Sequence, residues 1–286
     1  VTPVSEGGRT CLIAGCGDVG TRAGLLLAAQ GWRVVGLRRS GTLPSPIETF
    51  RADLTDPRSL GRVAHLAPDA LVYLPTPDAR TAGEYLRVYR DGLANLLDRL
   101  PQPPGRVLWV GSTAVHAESG AQWQDEDSAP EPEAWNGQVL VESERWIEQN
   151  VAGAVLLRLG GLYGPGREWM LRRARAGEPC RSRPPHWTNR IHVDDAAAAI
   201  AHLLGLREPA PLYLGVDEEP STDCQVLRYL AGRLGLPDAA LQDEPGAGPA
   251  TGKRLSSRRL RETGFRFRYP SFREGYEALI SAGPGA

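Results

Sequence analysis

The stretch TCLIAGCGDVGTRAGLLLAAQG, residues 10–31, leaves few folds open. A short apolar run ends in glycines, as a buried parallel strand does. An amphipathic segment follows at once and stops at Gly31, as helices do. Gly15, Gly17 and Gly20 space the junction as G-x-G-x-x-G, with Asp18 and Val19 between the last two glycines. Gly15 allows the tight turn, Gly17 lets the backbone approach a pyrophosphate, and Gly20 lets helix and strand pack closely. Free N–H groups at the helix start then attract an anion. The pattern is weak in isolation and strong at a strand–helix junction, so it predicts a dinucleotide loop.

The remaining chain repeats the strand–helix alternation. WRVVGLRRS (32–40), ALVYLPT (70–76), RVLWVGST (106–113) and the start of GAVLLRLGGLYGPG (153–166) read as further strands. GEYLRVYRDGLANLLDRL (83–100) reads as one long helix, and Asp56 as the cap of a helix beginning near Pro57. The fold class is therefore α/β, a doubly wound parallel sheet. From about residue 116 the pattern loosens. Segment 117–135 is acidic and Pro-rich, and 164–190 is rich in Arg, Pro and Trp. A helix (HVDDAAAAIAHLLGL), a strand (PLYLGV) and a helix (STDCQVLRYLAGRLGLP) follow. Residues 1–9 are expected to form a loose tail and 238–252 a mobile loop. Residues 10–160, with contributions from 189–216, are expected to form the dinucleotide-binding domain. Residues 161–286 should form mainly a smaller C-terminal α/β substrate lobe.

Charge narrows the partners. The 33 basic and 34 acidic residues leave a net charge of −1, so no global field favours nucleic acid or an anionic membrane. Basic residues crowd late, in GKRLSSRRLRETGFRFR (252–268), which suits a solvated helix face or a small anion site. Cys11, Cys16, Cys180 and Cys224 match no zinc or redox spacing. With no secretory signal and no long apolar run, they are expected to be reduced thiols in a cytoplasmic protein. No metal site and no nucleophile elbow is evident, which argues against a hydrolase.

The end of the second strand selects the dinucleotide. An acidic residue there would read the ribose 2′-hydroxyl, but this chain has Arg38 and Arg39. Two guanidiniums suit a 2′-phosphate, so NADP(H) is favoured, with NAD(H) the alternative if both arginines face solvent. Asp53 and Leu54 fall where a strand would end beside the adenine, and Pro75 falls at the end of the 70–76 strand.

With these residues in place the chain resembles the extended short-chain dehydrogenase/reductase family, especially its atypical epimerase/dehydratase-like members. The resemblance rests on Gly15–Gly20, VGSTAVH (110–116), RLGGLYGPGR (158–167) and NRIHVDD (189–195). It implies a Rossmann domain, a smaller C-terminal lobe and a nicotinamide over the carboxyl edge of the sheet. It also implies that Ser112 contacts both cofactor and reacting oxygen. A homodimer through the helices of 83–100 and 137–150 is implied too. Apolar Leu86, Val88, Leu93, Leu96, Val139 and Leu140 permit that contact and equally permit burial against the sheet.

One departure matters. The family helix carries Y-x-x-x-K, but here alignment on Gly137 and Glu144 puts Asn136 at the Tyr position and Leu140 at the Lys position. Segment 123–162 contains no Tyr or Lys at all, so no slip restores the pair. Asn cannot give a proton to an alkoxide, and Leu cannot hold a ribose hydroxyl. His116 is the first replacement as proton donor, expected to titrate near neutrality. Tyr163 and His192 are weaker candidates, with Asp194 expected to cap the helix that follows. Glu142 and Glu144 are expected on a solvated face. Trp123, Trp135, Trp169 and Trp187 are expected on a substrate cleft or in the lobe's core. Arg167 and Arg190 are candidates for a substrate anion. The leading expectation is an NADP(H)-dependent oxidoreductase or epimerase-like enzyme acting on a small polar substrate of nucleotide-sugar type. The rival is a non-catalytic NADP(H)-responsive binding protein.

Overall fold

The computed structural model describes residues 8–243 and 248–283. Seven strands form the main sheet: β1 (Thr10–Ala14), β2 (Arg33–Arg38), β3 (Glu48–Arg51), β4 (Ala70–Tyr73), β5 (Arg106–Ser112), β6 (Val155–Leu159) and β7 (Leu212–Gly215). Their order is β7-β6-β5-β4-β1-β2-β3. β3, β2, β1, β4 and β5 pair in parallel. The order reverses at β1, and there the loop after β1 opens toward the carboxyl edge, where doubly wound sheets hold ligands. The fold is the Rossmann-like α/β sheet that the alternation of apolar strands predicts.

The chain divides into two compact units. The first comprises Val1–Ser112, Ala134–Leu157 and Ala197–Leu212; the second comprises Thr113–Glu133, Arg158–Ala196 and Tyr213–Ala286. In the first, β1 and β4 are buried throughout or nearly so, which is why both read as unbroken apolar runs. Helix α1 (Asp18–Ala29) follows the glycine loop. The segment expected as one long helix is instead α2 (Ala82–Leu86), a π turn at Arg87–Asp91 and α3 (Gly92–Leu97). The buried Tyr73 hydroxyl donates to the Val88 carbonyl, and a Cβ at Gly92 would come within 2.5 Å of that hydroxyl. A side chain inserted into the helical ladder widens the turn. Asp56 caps no α-helix. Its Oδ1 accepts the Arg58 amide in a local turn, and only a 3₁₀ turn (Gly61–His65) follows.

Helix α4 (Trp135–Asn150) belongs to the first unit and carries Asn136 and Leu140 one turn apart. Glu144 corrects the solvated-face expectation: it is 3% exposed, whereas Glu142 is exposed and pairs with Arg90 at 2.9 Å.

The second unit holds its own core, in which Tyr163, Leu171, Leu227, Leu230, Phe272 and Tyr276 pack together. Helix α5 (Trp169–Arg175), α6 (Val193–Gly205, whose later residues belong to the first unit), α7 (Asp223–Arg233), α8 (Arg258–Glu262) and α9 (Phe272–Ala282) complete the helices. Thr222 with Gln225 and Ser271 with Glu274 form capping boxes at α7 and α9. The expectation of four reduced thiols is corrected. Cys180 and Cys224 form a disulfide with Cα atoms 5.1 Å apart, while Cys11 and Cys16 are free and buried. Of the loop expected at 238–252, residues 244–247 lie outside the described residues, and Thr251–Gly252 is a short strand paired with His186–Trp187. Residues 1–7 of the expected tail also lie outside the described residues.

Candidate functional site

The first unit contains a cleft of about 250 Å³ at the switch point of the sheet. Gly15, Gly17, Arg38, Arg39, Asp53, Leu54 and Pro75 line it, so the structure brings together residues from four separate segments. The loop is set by hydrogen bonds from the Gly15 and Cys16 amides to the Leu37 carbonyl, at 3.1 and 2.9 Å. Gly15 has φ +82°, and a Cβ there would lie 2.5 Å from the Pro75 backbone. Only glycine lets the two chains approach so closely. Asp18, Val19 and Gly20 form the first turn of α1, where Asp18 pairs with Arg22 at 2.8 Å.

Charge lines the other wall. Arg38 is half-buried at the end of β2 and Arg39 is exposed beside it. The Arg39 guanidinium forks onto the Asp78 carboxylate with two bonds, which push its pKa up. Burial opposes ionisation of Asp53, but the Thr55 hydroxyl and amide, at 2.7 and 2.9 Å, together with Arg39 and Arg87, outweigh it. The carboxyl is held below its ordinary value. Arg87, Glu84 and Thr55 also line this cleft, and Arg87 binds both of the others. Sequence reading missed all three, because a π turn sets the direction of Arg87. The cleft therefore offers a glycine cradle at one end and arginines at the other, the donor set that a dinucleotide with a charged adenosine end requires.

The remaining candidates separate. Ser112 ends β5 in the first unit. Trp135 is also in the first unit, packed edge-on against Tyr85 with centroids 5.0 Å apart. The others are in the second unit. His116 is 1% exposed, and the Arg158 guanidinium donates to its Nε2 at 3.1 Å. The ring proton must then sit on Nδ1 and is donated to Gln124 Oε1 at 3.1 Å. Burial, then the Arg158 charge, push its pKa down to about 4. The expectation of titration near neutrality is corrected: this imidazole is neutral and its one N–H is committed.

Tyr163 sits in the core, donating to the Ser271 carbonyl at 3.3 Å, with its pKa raised by burial. That placement runs against a proton-donating role. His192 is buried against Tyr163 and Tyr269, and its Nδ1 accepts the Asp194 amide at 3.2 Å. This is the bond expected of an N-cap, so His192 supplies it rather than Asp194. Arg167 is exposed, with its amide in the Gly164 turn. Arg190 is 6% exposed, bonds Thr188 and leaves Nη1 without a partner. Trp123 and Trp187 sandwich the Arg254 guanidinium at 4.3 and 4.6 Å, while Trp169 covers Arg173. Among the described residues no helix is long and apolar enough to cross a membrane.

Comparison with known proteins places this geometry. A Methylobacillus flagellatus protein assigned to the NAD-dependent epimerases/dehydratases is 38% identical, covering 96% of this chain and 98% of its own, with a TM-score of 0.83. Protein YeeZ of Escherichia coli K12 is 29% identical over 282 residues, covering 90% of this chain and 95% of its own. A Streptomyces 3-diazoavenalumate denitrifying reductase is 29% identical over 252 residues, covering 79% and 82%. The sequence pattern of the NAD dependent epimerase/dehydratase family matches residues 11–211. Sheet order, glycine loop and these matches agree: the chain belongs to the NAD dependent epimerase/dehydratase family.

Proposed function

We propose that the protein is an NADP(H)-dependent reductase of a small polar substrate. The first unit holds the dinucleotide and the second carries most of the substrate contacts. The observation that carries this reading is the cleft that joins the Gly15–Gly17 cradle to Arg38 and Arg39. Guanidiniums at the end of β2 complement a 2′-phosphate, whereas a ribose hydroxyl is read by a carboxylate acceptor. When bound, the nicotinamide supplies or accepts hydride. Ser112 holds the reacting oxygen.

Reduction is favoured over epimerisation for a chemical reason. Epimerisation must remove and return a proton, and α4 offers only Asn136 and Leu140 where the acid–base pair would stand. The name of the Streptomyces relative, a denitrifying reductase, supports the same direction. Nucleotide-sugar-like and other flat polar carbonyl or imine compounds are the substrates to test.

Calorimetry with NADPH and NADH tests the cofactor assignment. Binding of NADPH at least tenfold tighter than NADH is expected, and Arg38→Ala should lose roughly 10–100-fold toward NADPH alone. Equal affinities, or an Arg38→Ala variant that loses both nucleotides alike, would refute NADP(H) preference. The committed proton of His116 favours a second reading, a cofactor-responsive binding protein. Turnover of any carbonyl or imine with NADPH consumption would exclude it.

A further inference from the structure

The chain contains 32 arginines and one lysine, Lys253. Every other cationic task, from surface ion pairs to aromatic stacking, is given to arginine. The single ammonium is not on the open surface: Lys253 is half-buried in the second unit. Its backbone is clamped from both sides. The Lys253 amide donates to the Trp187 carbonyl at 3.3 Å, and the Asn189 side-chain amide donates to the Lys253 carbonyl at 2.8 Å. The Asn189 side-chain oxygen then accepts the Leu255 amide at 2.9 Å. Gly252 precedes it with φ +75°, where a Cβ would come within 2.0 Å of the Trp187 carbonyl, so the approach admits only glycine.

The side chain is aimed as firmly. Lys253 Nζ donates to the His116 carbonyl at 2.6 Å, in the segment that follows Ser112 along the chain. Its other two N–H bonds meet no acceptor among the described residues. An arginine could make the same carbonyl bond, but it cannot release a proton near neutrality. The charged and titratable groups around Nζ are few. Glu118 attracts it, His116 is neutral, and the guanidinium of Arg254 is held between Trp123 and Trp187. Burial lowers the pKa of Lys253, with Glu118 opposing.

We propose that Lys253 is the proton donor of the reaction, supplying what Asn136 and Leu140 cannot. This rests on the reading of the first unit as a reduced-nicotinamide site. As hydride from the reduced nicotinamide forms the new C–H bond, the electron pair of the substrate C=O or C=N moves onto oxygen or nitrogen. A Lys253 N–H bond breaks, its proton forms the new O–H or N–H bond, and the lysine is left as a neutral amine. Water then returns the proton.

A single lysine makes the test unusually direct. Protein grown on lysine labelled with ¹³C at Cε gives one side-chain resonance, whose pH titration reports Lys253 alone. An inflection about one unit or more below the ordinary 10.5 is expected. Saturating NADPH should shift the resonance, whereas the phosphorylated ADP-ribose fragment lacking nicotinamide should leave it in place. An ordinary pKa overturns the proposal, as does a resonance unmoved by NADPH or moved equally by the fragment. Calorimetry on the same sample separates the two failures. Heat of NADPH binding without the lysine response removes Lys253 alone, and no heat removes the cofactor reading together with it.

Discussion

At the scale of single residues, the charge on the cleft wall is already engaged. Asp78 occupies both arms of the Arg39 fork. A 2′-phosphate must share or displace that carboxylate, so Asp78 tempers the preference that Arg39 creates. Asp78→Asn is expected to tighten NADPH by about three- to tenfold and leave NADH unchanged. Calorimetry of the variant checks it, and an unaltered NADPH affinity would show that Arg39 does not meet the phosphate. His116 illustrates a different limit. Its residue type alone predicts a group poised near neutrality. Three neighbours far apart in sequence, Gln124, Arg158 and Lys253, set its real state. No sequence periodicity announces that the ring nitrogens are spoken for.

At the scale of elements, what could be read depended on whether a structure is local. The glycine loop, α1 and the buried strands follow from patterns contained within a dozen residues. The π turn does not, because its cause is Tyr73 in another strand, although a glycine at position 92 inside an otherwise regular helical pattern was a signal. That turn carries Arg87 to the cleft, which is why the residue escaped notice. The segment after β7 shows a similar dependence on distant chain. Asp217 is 1% exposed with Oδ2 unpartnered, and burial pushes its carboxyl up to about 8 against the influence of Arg190. Unfolded, the group titrates near 3.8. Between these values the folded protein holds a proton that the unfolded chain has shed, so stability falls as pH rises through that window. Asp217→Asn should melt like the parent at acidic pH and above it at pH 8.5 or so, by roughly 2–4 °C per kcal/mol recovered. A parallel pH dependence in parent and variant would contradict the assignment.

At the scale of the whole molecule, the two units answer to different perturbations. The dinucleotide cleft is lined only by first-unit residues, and the Cys180–Cys224 bridge lies in the second. The bridge closes a separation of 44 residues, for which chain entropy gives about 4 kcal/mol. Reduction, or Cys180→Ser with Cys224→Ser, should therefore lower the melting temperature by several degrees while the heat of NADPH binding persists. Loss of NADPH binding on reduction would show that the units are not separable in this way. The division itself has a bearing on how the protein is made. Each unit is assembled from three stretches that alternate along the polypeptide. The ribosome has released most of the second unit's first two stretches before Ala197–Leu212 emerges to complete the first. Vectorial synthesis thus cannot finish one body before starting the other. A nascent chain halted anywhere short of residue 212 or so should expose an unfinished sheet edge to chaperones.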